Sequence, residues 1–416
     1  MSARDCLDYG RMTPVAEARA ILARHARPLA GIERVPLAAA RGRILARDLV
    51  SPRDVPPFDN VAVDGYAFAA AALAGGRREL RLLAGVAAAG HPFPDPVPEG
   101  RAVRALTGAP LPAGCDTVVM QEEVEVAGDR LRLPGHVRPG ANVRRRGEDV
   151  TRGGRVVVAG TRLGPQHLGV AAELGLAELE VRTPLPVALF SSGDELVEPG
   201  GTPGPGGIYD ANRPMLRALL GDLPVTVTDL GILPDRREAV EEAVLGAARR
   251  HPLVITSGGA STGDEDHLSR LLEARGEVLF WRVAMKPGRP LGFGRLEDAF
   301  LFVLPGNPVA AALGFLLFAR PFLLALAGAS FALPEPLPLP AAFALTKRGD
   351  RTEFARARLV RESDGTVAVA RIPREGSGIL TSLTEADGIV ELPPEVTRVE
   401  PGDPVLYRSL VDLGCR

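Results

Sequence analysis

Pro252-Leu253-Val254-Ile255-Thr256-Ser257-Gly258-Gly259-Ala260-Ser261-Thr262-Gly263-Asp264-Glu265-Asp266 is the stretch from which the rest of the chain is read. Residues 252–255 form a short apolar run of the kind that makes a buried parallel strand. The strand enters a loop with three glycines, two serines and two threonines, closed by three acids. Glycines let backbone N–H groups approach an anion without Cβ atoms in the way. Carboxylates beside such a loop repel a phosphate unless a divalent cation lies between them. The loop fits a phosphorylated ligand with a bound metal, and it also fits a glycine-rich turn with a capping Asp. One such loop does not decide between the two.

Working outward, strands alternate with helices over 184–330. Residues 185–190 are an apolar strand leading to Ser191-Ser192-Gly193-Asp194-Glu195. Tyr209-Asp210-Ala211-Asn212-Arg213-Pro214 opens a helix. Residues 225–231 are a strand, and Pro234-Asp235 starts the next helix. Residues 278–285 read as a strand ending in Lys286-Pro287-Gly288-Arg289-Pro290. Residues 300–304 read as another, ending in Pro305-Gly306-Asn307-Pro308. The alternation predicts a mostly parallel sheet with helices on both faces. Ligands bind such sheets beyond the carboxyl ends of the strands, where five of these polar loops fall.

The bulk numbers narrow the class. With 416 residues the chain is too long for one ordinary core. A net charge of −2 gives no footprint for nucleic acid. Cys6, Cys115 and Cys415 form no C-x-x-C pair, which argues against a zinc site or a disulfide framework and fits a reducing cytoplasm. The N-terminus has no apolar signal region. The apolar run 309–319 stops at Arg320-Pro321, short for a bilayer span, so a buried helix and no membrane role are expected. Of 49 basic residues only Lys286 and Lys347 are lysine, and asparagine occurs only at 60, 142, 212 and 307.

Upstream, Thr13-Pro14 reads as a cap and first turn of a helix to about Ala26. Residues 31–50 suggest a short strand and a second helix. Residues 51–60 are a proline-stiffened loop, and Asp64-Gly65 interrupts an apolar strand as a turn pair. Residues 77–133 are all-β in pattern, and 150–183 return to helix. Arg144-Arg145-Arg146 beside Glu148-Asp149 fits a solvated face or the wall of an anion cleft. Downstream, 334–340 is a proline-rich linker and 341–416 a small all-β domain.

These motifs resemble the molybdopterin molybdenumtransferase family, the MoeA proteins and the E domain of gephyrin. The matching residues are the segment 56–67, Thr107-Gly108-Ala109-Pro110, Arg146-Gly147-Glu148-Asp149, Ser192-Gly193-Asp194-Glu195-Leu196 and Tyr209-Asp210-Ala211-Asn212. They continue with Ser257-Gly258-Gly259 plus Gly263 and Asp266, Lys286-Pro287-Gly288, and 304–308. The resemblance covers essentially the whole chain. It implies a multidomain α/β plus β protein. Residues 1–50 and 141–183 make an elongated, discontinuous mixed linker domain, and 51–140 a β-rich inserted domain. Residues 184–330 make a central, mostly parallel α/β sandwich domain that binds molybdopterin, and 331–416 a small C-terminal β-barrel-like domain.

The resemblance also implies the chemistry: a cytoplasmic homodimer that inserts molybdenum from molybdate into adenylylated molybdopterin, with Mg²⁺-dependent release of AMP. The implied partners include the adenylyltransferase and other molybdenum cofactor biosynthesis proteins. Mapped onto this chain, the amides of Ser257, Gly258 and Gly259 suit phosphates. Lys286 and Arg289 supply positive charge to the transition state. Glu195, Asp235 and Asp266 hold Mg²⁺ through oxygen. Ser192, Gly193, Pro305, Gly306 and Asn307 line the substrate cleft, and Asp64, Thr107 and Asp149 match motif positions outside the α/β domain. Arg356 and Ser377 match polar positions of the C-terminal domain that receive molybdate or pterin. Arg282 stands where the family often has lysine, which keeps the charge but exchanges a point for a planar fork. Two rival readings are adenylyl transfer to molybdopterin, which would release pyrophosphate from ATP, and a non-catalytic scaffold.

Overall fold

The computed structural model describes residues 12–259 and 267–415. They divide into two compact units. One holds the chain up to Arg47, Ala159–Pro165 and everything from Glu178 onward; the other holds Asp48–Val158 and Gln166–Ala177.

The first unit is built on a six-stranded sheet: β1 (Leu185–Ser192), β2 (Val225–Leu233), β3 (Leu253–Ser257), β4 (Gly276–Phe280), β5 (Gly292–Leu296) and β6 (Ala299–Leu304), in the spatial order β2-β1-β3-β6-β5-β4. Strands β2, β1, β3 and β6 are parallel, while β5 and β4 run antiparallel to their neighbours at one edge. Helices α1 (Asn212–Gly221) and α4 (Pro308–Leu326) cover one face, and α2 (Arg237–Ala248) and α3 (His267–Arg275) the other. Every residue of β3 and β6 is buried, as layers on both faces require.

Helix α4 is longer than the apolar run 309–319 implies. Asn307 is extended, and Pro308 at the first turn uses no N–H that a helix start needs. Pro321 lacks an N–H, and the turn before it, Phe315–Ala319, widens to π geometry, with Arg320 N–H reaching back to Phe315. The helix thus continues through the proline for 19 residues, long and apolar enough to cross a membrane by length and composition. Its most apolar window is 89% buried inside the protein, which makes it a core helix. Phe322 packs edge-on against Phe293 and Phe300, ring centroids 5.0 Å apart in both pairs.

One expected strand divides in two. β4 ends at Phe280, and the chain then crosses to the C-terminal domain, where Met285–Lys286 pairs in parallel with Thr352–Arg361. Thr13 helps fix this crossing: its N–H donates to Arg282 O and its carbonyl accepts from Ala284 N–H, both at 2.8 Å. Thr13 is therefore a bridge residue, and the helix Val15–His25 starts with no side-chain cap.

The C-terminal β domain is a sheet in the order Met285–Lys286, Thr352–Arg361, Gly388–Leu392, Pro404–Ser409, Leu337–Pro340, with Val367–Arg371 also paired to Thr352–Arg361. The proline-rich linker is thus shorter than expected, because Leu337–Pro340 is an edge strand, a place that tolerates proline. Arg19, on the N-terminal helix, reaches this domain. Its guanidinium pairs with Glu391 at 2.9 Å and lies over the rings of Phe318 and Phe354. Ile32–Pro36 pairs with Glu178–Arg182; the second helix expected over 31–50 shrinks to Leu37–Ala40, and that over 150–183 to Pro165–Glu173.

The second unit carries its own six-stranded sheet, in the order Thr117–Met120, Gly65–Phe68, Arg101–Ala105, Glu79–Ala87, Arg130–Arg132, Glu125–Ala127. Alternation along Gly65–Phe68 sends Ala67 to one core and Tyr66 and Phe68 to another. Gly65 is obligatory, because a Cβ there would lie 1.9 Å from Val119 O.

Candidate functional site

Beyond the carboxyl ends of β1, β3 and β6 lies a cavity of about 430 Å³. Its walls are Ser192, Gly193, Glu195 and Leu196 after β1, Asp235 after β2, Ser257–Gly259 after β3, Gly306 and Asn307 after β6, Asn212 on α1, Ile208 and Pro290. Four of the expected strand-end loops therefore meet. Gly258 makes the closest approach: its φ is +93°, and a Cβ would sit 2.3 Å from Ser192 O. The Gly258 N–H donates to Leu304 O at 3.1 Å. This corrects the expectation that it faces a phosphate, because the amide is used to close the β3 loop onto β6.

The hydroxyl of Ser257 is likewise committed. It donates to Pro305 O at 3.3 Å and accepts from Asn212 Nδ2 at 2.7 Å, while Asn212 Nδ2 also donates to Gly306 O at 2.7 Å. Asn212 thus ties the β3 loop to the β6 loop. Its own backbone is fixed by Asp210, whose Oδ1 accepts the N–H groups of Asn212 and Arg213 at 3.1 Å. The buried Arg213 guanidinium bonds both oxygens of Asp229 at 2.9 and 2.7 Å, Asp210 at 3.2 Å, and Glu198. Asn212 and Arg213 were not singled out as site residues in the sequence. The signals that could have found them are the rarity of asparagine and the Tyr-Asp-Ala-Asn motif.

The carboxylates of Glu195 and Asp235 both belong to the cavity wall. Asp194 Oδ1 accepts the Asp235 N–H at 2.9 Å, and His267 Nε2 lies 3.9 Å from Asp235 Oδ1. Asp266 lies outside the described residues. Among the described residues, no three His, Cys, Asp or Glu side chains form a group able to hold a metal. Glu195 and Asp235 are the acidic residues of this wall, and carboxylate oxygen is the ligand type a hard divalent cation takes.

The cationic residues lie elsewhere. Lys286 is absent from this wall and stands between Glu353 at 3.4 Å and Glu375 at 3.6 Å, in a narrow cleft shared with Arg356 and Arg371. The early end of β4 explains this: Met285–Lys286 belongs to the C-terminal sheet. Arg289 is exposed and Arg282 half-buried. Arg356 is buried; Nε donates to Ser382 Oγ at 3.1 Å, and Nη2 to Arg374 O at 2.6 Å and Gly376 O at 3.4 Å. Burial first, and the neighbouring Arg371 second, lower its pKa. Arg356 therefore holds the 374–376 loop in place. The next residue, Ser377, accepts the Val309 N–H at 3.0 Å, which seats this loop on the N-terminus of α4 beside Asn307.

In the second unit, Asp64 Oδ1 accepts from Thr107 N–H at 2.8 Å and from Thr107 Oγ1 at 2.7 Å, so two motif residues far apart in sequence meet. These bonds, the backbone one first, hold the Asp64 carboxyl below its usual pKa. Asp149 lines a second cavity of about 430 Å³ with Arg144, Glu148 and Asn60. Arg145 pairs with Asp59 at 2.7 Å and Arg146 with Asp54 at 2.6 Å. Two of the three arginines expected to add positive potential are thus neutralised locally.

Family models match the chain in three consecutive parts: the MoeA N-terminal region (domains I and II) over residues 13–175, the probable molybdopterin binding domain over 188–325, and the MoeA C-terminal region (domain IV) over 338–410. The molybdopterin molybdenumtransferase of Haemophilus influenzae is 39% identical over 376 residues, covering 90% of this chain and 92% of the relative. That of Synechococcus elongatus is 35% identical over 395 residues, covering 92% and 95%. The crystal structure of the molybdopterin biosynthesis moeA protein from Pyrococcus horikoshii OT3 superposes with a TM-score of 0.82 at 30% identity, covering 95% of this chain and 99% of that one. Identity sustained over this length, with the three regions in order, shows that the chain belongs to the molybdopterin molybdenumtransferase (MoeA) family.

Proposed function

We propose that the protein inserts molybdenum from molybdate into adenylylated molybdopterin, with Mg²⁺-dependent release of AMP. The observation that carries this reading is the cavity at the strand ends, where glycine loops and the acidic residues Glu195 and Asp235 line one volume large enough for a nucleotide phosphate. In the reaction the anhydride between the two phosphates is cleaved by water, AMP leaves, and the molybdopterin phosphate is freed. Glu195 and Asp235, with Asp266, would hold Mg²⁺. The bound cation would neutralise charge on the anhydride oxygens. The chain's own part is to orient: Asn212 and Ser257 fix the two loops that flank the phosphates, and Gly258 and Gly193 let Ser192 O and the Glu195 carboxylate pack close against those loops.

Molybdate and the pterin belong, in this reading, near Ser377 and Asn307 on the edge formed by the C-terminal domain. Asp64, Thr107 and Asp149 complete the cleft from the partner of a homodimer. Lys286 reaches the substrate by exchanging Glu375 for a phosphate oxygen. Arg289 and Arg282 add charge along the same segment. The protein works in the cytoplasm and receives substrate from an adenylyltransferase. The test is AMP release from adenylylated molybdopterin with molybdate, with and without Mg²⁺. Pyrophosphate released from ATP and molybdopterin would instead mark an adenylyltransferase. A monomeric mass in solution with full activity would remove the partner from the cleft.

A further inference from the structure

We infer that Leu196 and Ile208 form an apolar platform for the adenine ring of the substrate, and that Ile208 sets the preference for a ligand that carries a base. This rests on the reading above, that the cavity beyond β1 and β3 takes an adenylylated substrate. Past β1 the chain folds into a short ribbon, in which Leu196–Val197 pairs in parallel with Ile208–Tyr209. Leu196 stands beside Ile208, and Val197 beside Tyr209. Successive side chains of a strand point to opposite faces, so the ribbon has two sides. Leu196 and Ile208 share one side, and both line the cavity. Val197 and Tyr209 share the other, where the Tyr209 hydroxyl donates to Gly201 O at 3.1 Å; neither belongs to the described cavity wall. Ile208 is 55% exposed although aliphatic.

A single exposed aliphatic side chain needs no explanation, but here two adjacent ones face a cavity. The rest of the described wall is glycine, hydroxyl, amide and carboxylate residues, apart from Pro290 before β5. Ligand sites join an apolar surface to a few polar groups, each matched to a different part of the ligand. In a cavity whose other walls suit phosphate and a cation, the aliphatic pair suits a flat, uncharged ring. The substrate offers two such rings, adenine and pterin. The ribbon follows β1, Asn307 follows β6, and β3 with its glycine loop lies between them. With the phosphates at the β3 loop and the pterin on the Asn307 side, the adenine falls on the ribbon. The platform is also held still. Ile208 N–H donates to Glu195 O at 2.8 Å, and Asp210 N–H to Val197 O at 2.9 Å. The aliphatic pair and the carboxylate-bearing Glu195 are thus parts of one hydrogen-bonded piece, which presents its surface ready-made.

The test is calorimetric titration of the full chain, with Mg²⁺, against AMP, ribose 5-phosphate, which has no base, and 6-hydroxymethylpterin. Ribose 5-phosphate should bind the wild type about 10-fold more weakly than AMP. Ile208→Ser should weaken AMP by about 3- to 10-fold and leave ribose 5-phosphate unchanged, because only the contact with the ring is lost. Ile208→Thr, nearly the same shape but polar, serves as a second variant should Ile208→Ser not fold, and a thermal melt checks both. Tyr209→Ser, on the opposite side of the same ribbon, should bind AMP as the wild type does. Unchanged AMP affinity in Ile208→Ser overturns the inference. Equal weakening of AMP and ribose 5-phosphate also overturns it, because the ribbon then only supports Glu195. So does a Tyr209→Ser protein with the same loss as Ile208→Ser. If Ile208→Ser spares AMP and weakens 6-hydroxymethylpterin, the ribbon takes the pterin and the assignment to adenine is overturned. These outcomes leave the cavity itself standing as the substrate site. Failure of AMP to bind the wild type at all overturns the cavity assignment and the inference together.

Discussion

Replacing Gly258 with alanine tests the geometry of the site without changing any charge. Two costs follow from the structure. The φ of +93° lies in the left-handed region, where a Cβ costs about 1–2 kcal/mol. The new methyl would lie 2.3 Å from Ser192 O, which is 1.1 Å short of the 3.4 Å at which ordinary contact begins. Ser192 O is backbone and a Cβ is fixed rigidly to its own backbone, so the β1 and β3 loops must separate, at an overpacking cost of about 1–3 kcal/mol. Together these give roughly 2–5 kcal/mol of destabilisation. Gly306→Ala is the matched control: Gly306 lines the same cavity, yet a Cβ there meets nothing within 4 Å. Its stability should stay within about 0.5 kcal/mol of wild type. Denaturant midpoints with unchanged slopes would measure both variants, beside AMP affinity. If Gly258→Ala unfolds with the wild-type protein and binds AMP equally, or if Gly306→Ala is as damaging, the close approach of the two loops is wrong.

Further expectations follow from other parts of the molecule. Glu391→Gln removes the carboxylate charge that Arg19 at 2.9 Å and Arg408 at 3.0 Å share, and should cost about 3–5 kcal/mol on denaturant titration; Arg19→Met, which leaves Arg408 paired with Glu391, should cost less, and an equal cost would show that Arg408 takes nothing from the shared carboxylate. Asp64 has a folded pKa below its unfolded one, so the stability it lends is present above the unfolded value near 3.8 and is lost as pH falls through the lowered one. Thr107→Val removes one of the two bonds, and a carbon-detected NMR titration should show the Asp64 pKa rising towards that ordinary value; an unmoved titration would show that the hydroxyl contributes nothing. Lys286→Ala should slow AMP release by about 30- to 1,000-fold if the ammonium reaches a phosphate in the transition state. A wild-type rate with a lowered melting temperature would instead make Lys286 a tie between Glu353 and Glu375.

The α/β domain was legible because its signals are local. Apolar runs such as 185–190 and 300–304 are too short for a core helix and are bounded by glycine and proline, which favours buried strands, and parallel topology then sends their ends to one place. Ser192, Ser257 and Gly306, carried by those ends, accordingly line one cavity. What the sequence hid were long-range exchanges. Nothing local says that the run 278–285 breaks so that Met285–Lys286 can join a sheet formed 67 residues later, so Lys286 was expected at the wrong wall. Arg356 looked like an anion receptor because burial and its three carbonyl and hydroxyl partners depend on the loop that folds over it. Arg145 and Arg146 looked like free charge because Asp59 and Asp54 lie some 90 residues away. The pairing of Asp64 with Thr107 is of the same kind, and only the recurrence of two known motifs hinted at it.

The C-terminal sheet has bearing on how the chain can be cut. One outer strand, Leu337–Pro340, carries prolines that withhold N–H groups from any incoming strand. At the opposite side Thr352–Arg361 is covered at its start by Met285–Lys286, lent by the preceding domain. A fragment that begins near residue 331 would lose the lent strand and bare part of that edge. A fragment that ends there would leave Lys286 without Glu353. Neither half is a self-sufficient module, so expression of the isolated C-terminal region should yield protein that self-associates through the uncovered edge. Fusions and rearrangements of this gene would have to keep 285–286 and 352–361 on one polypeptide.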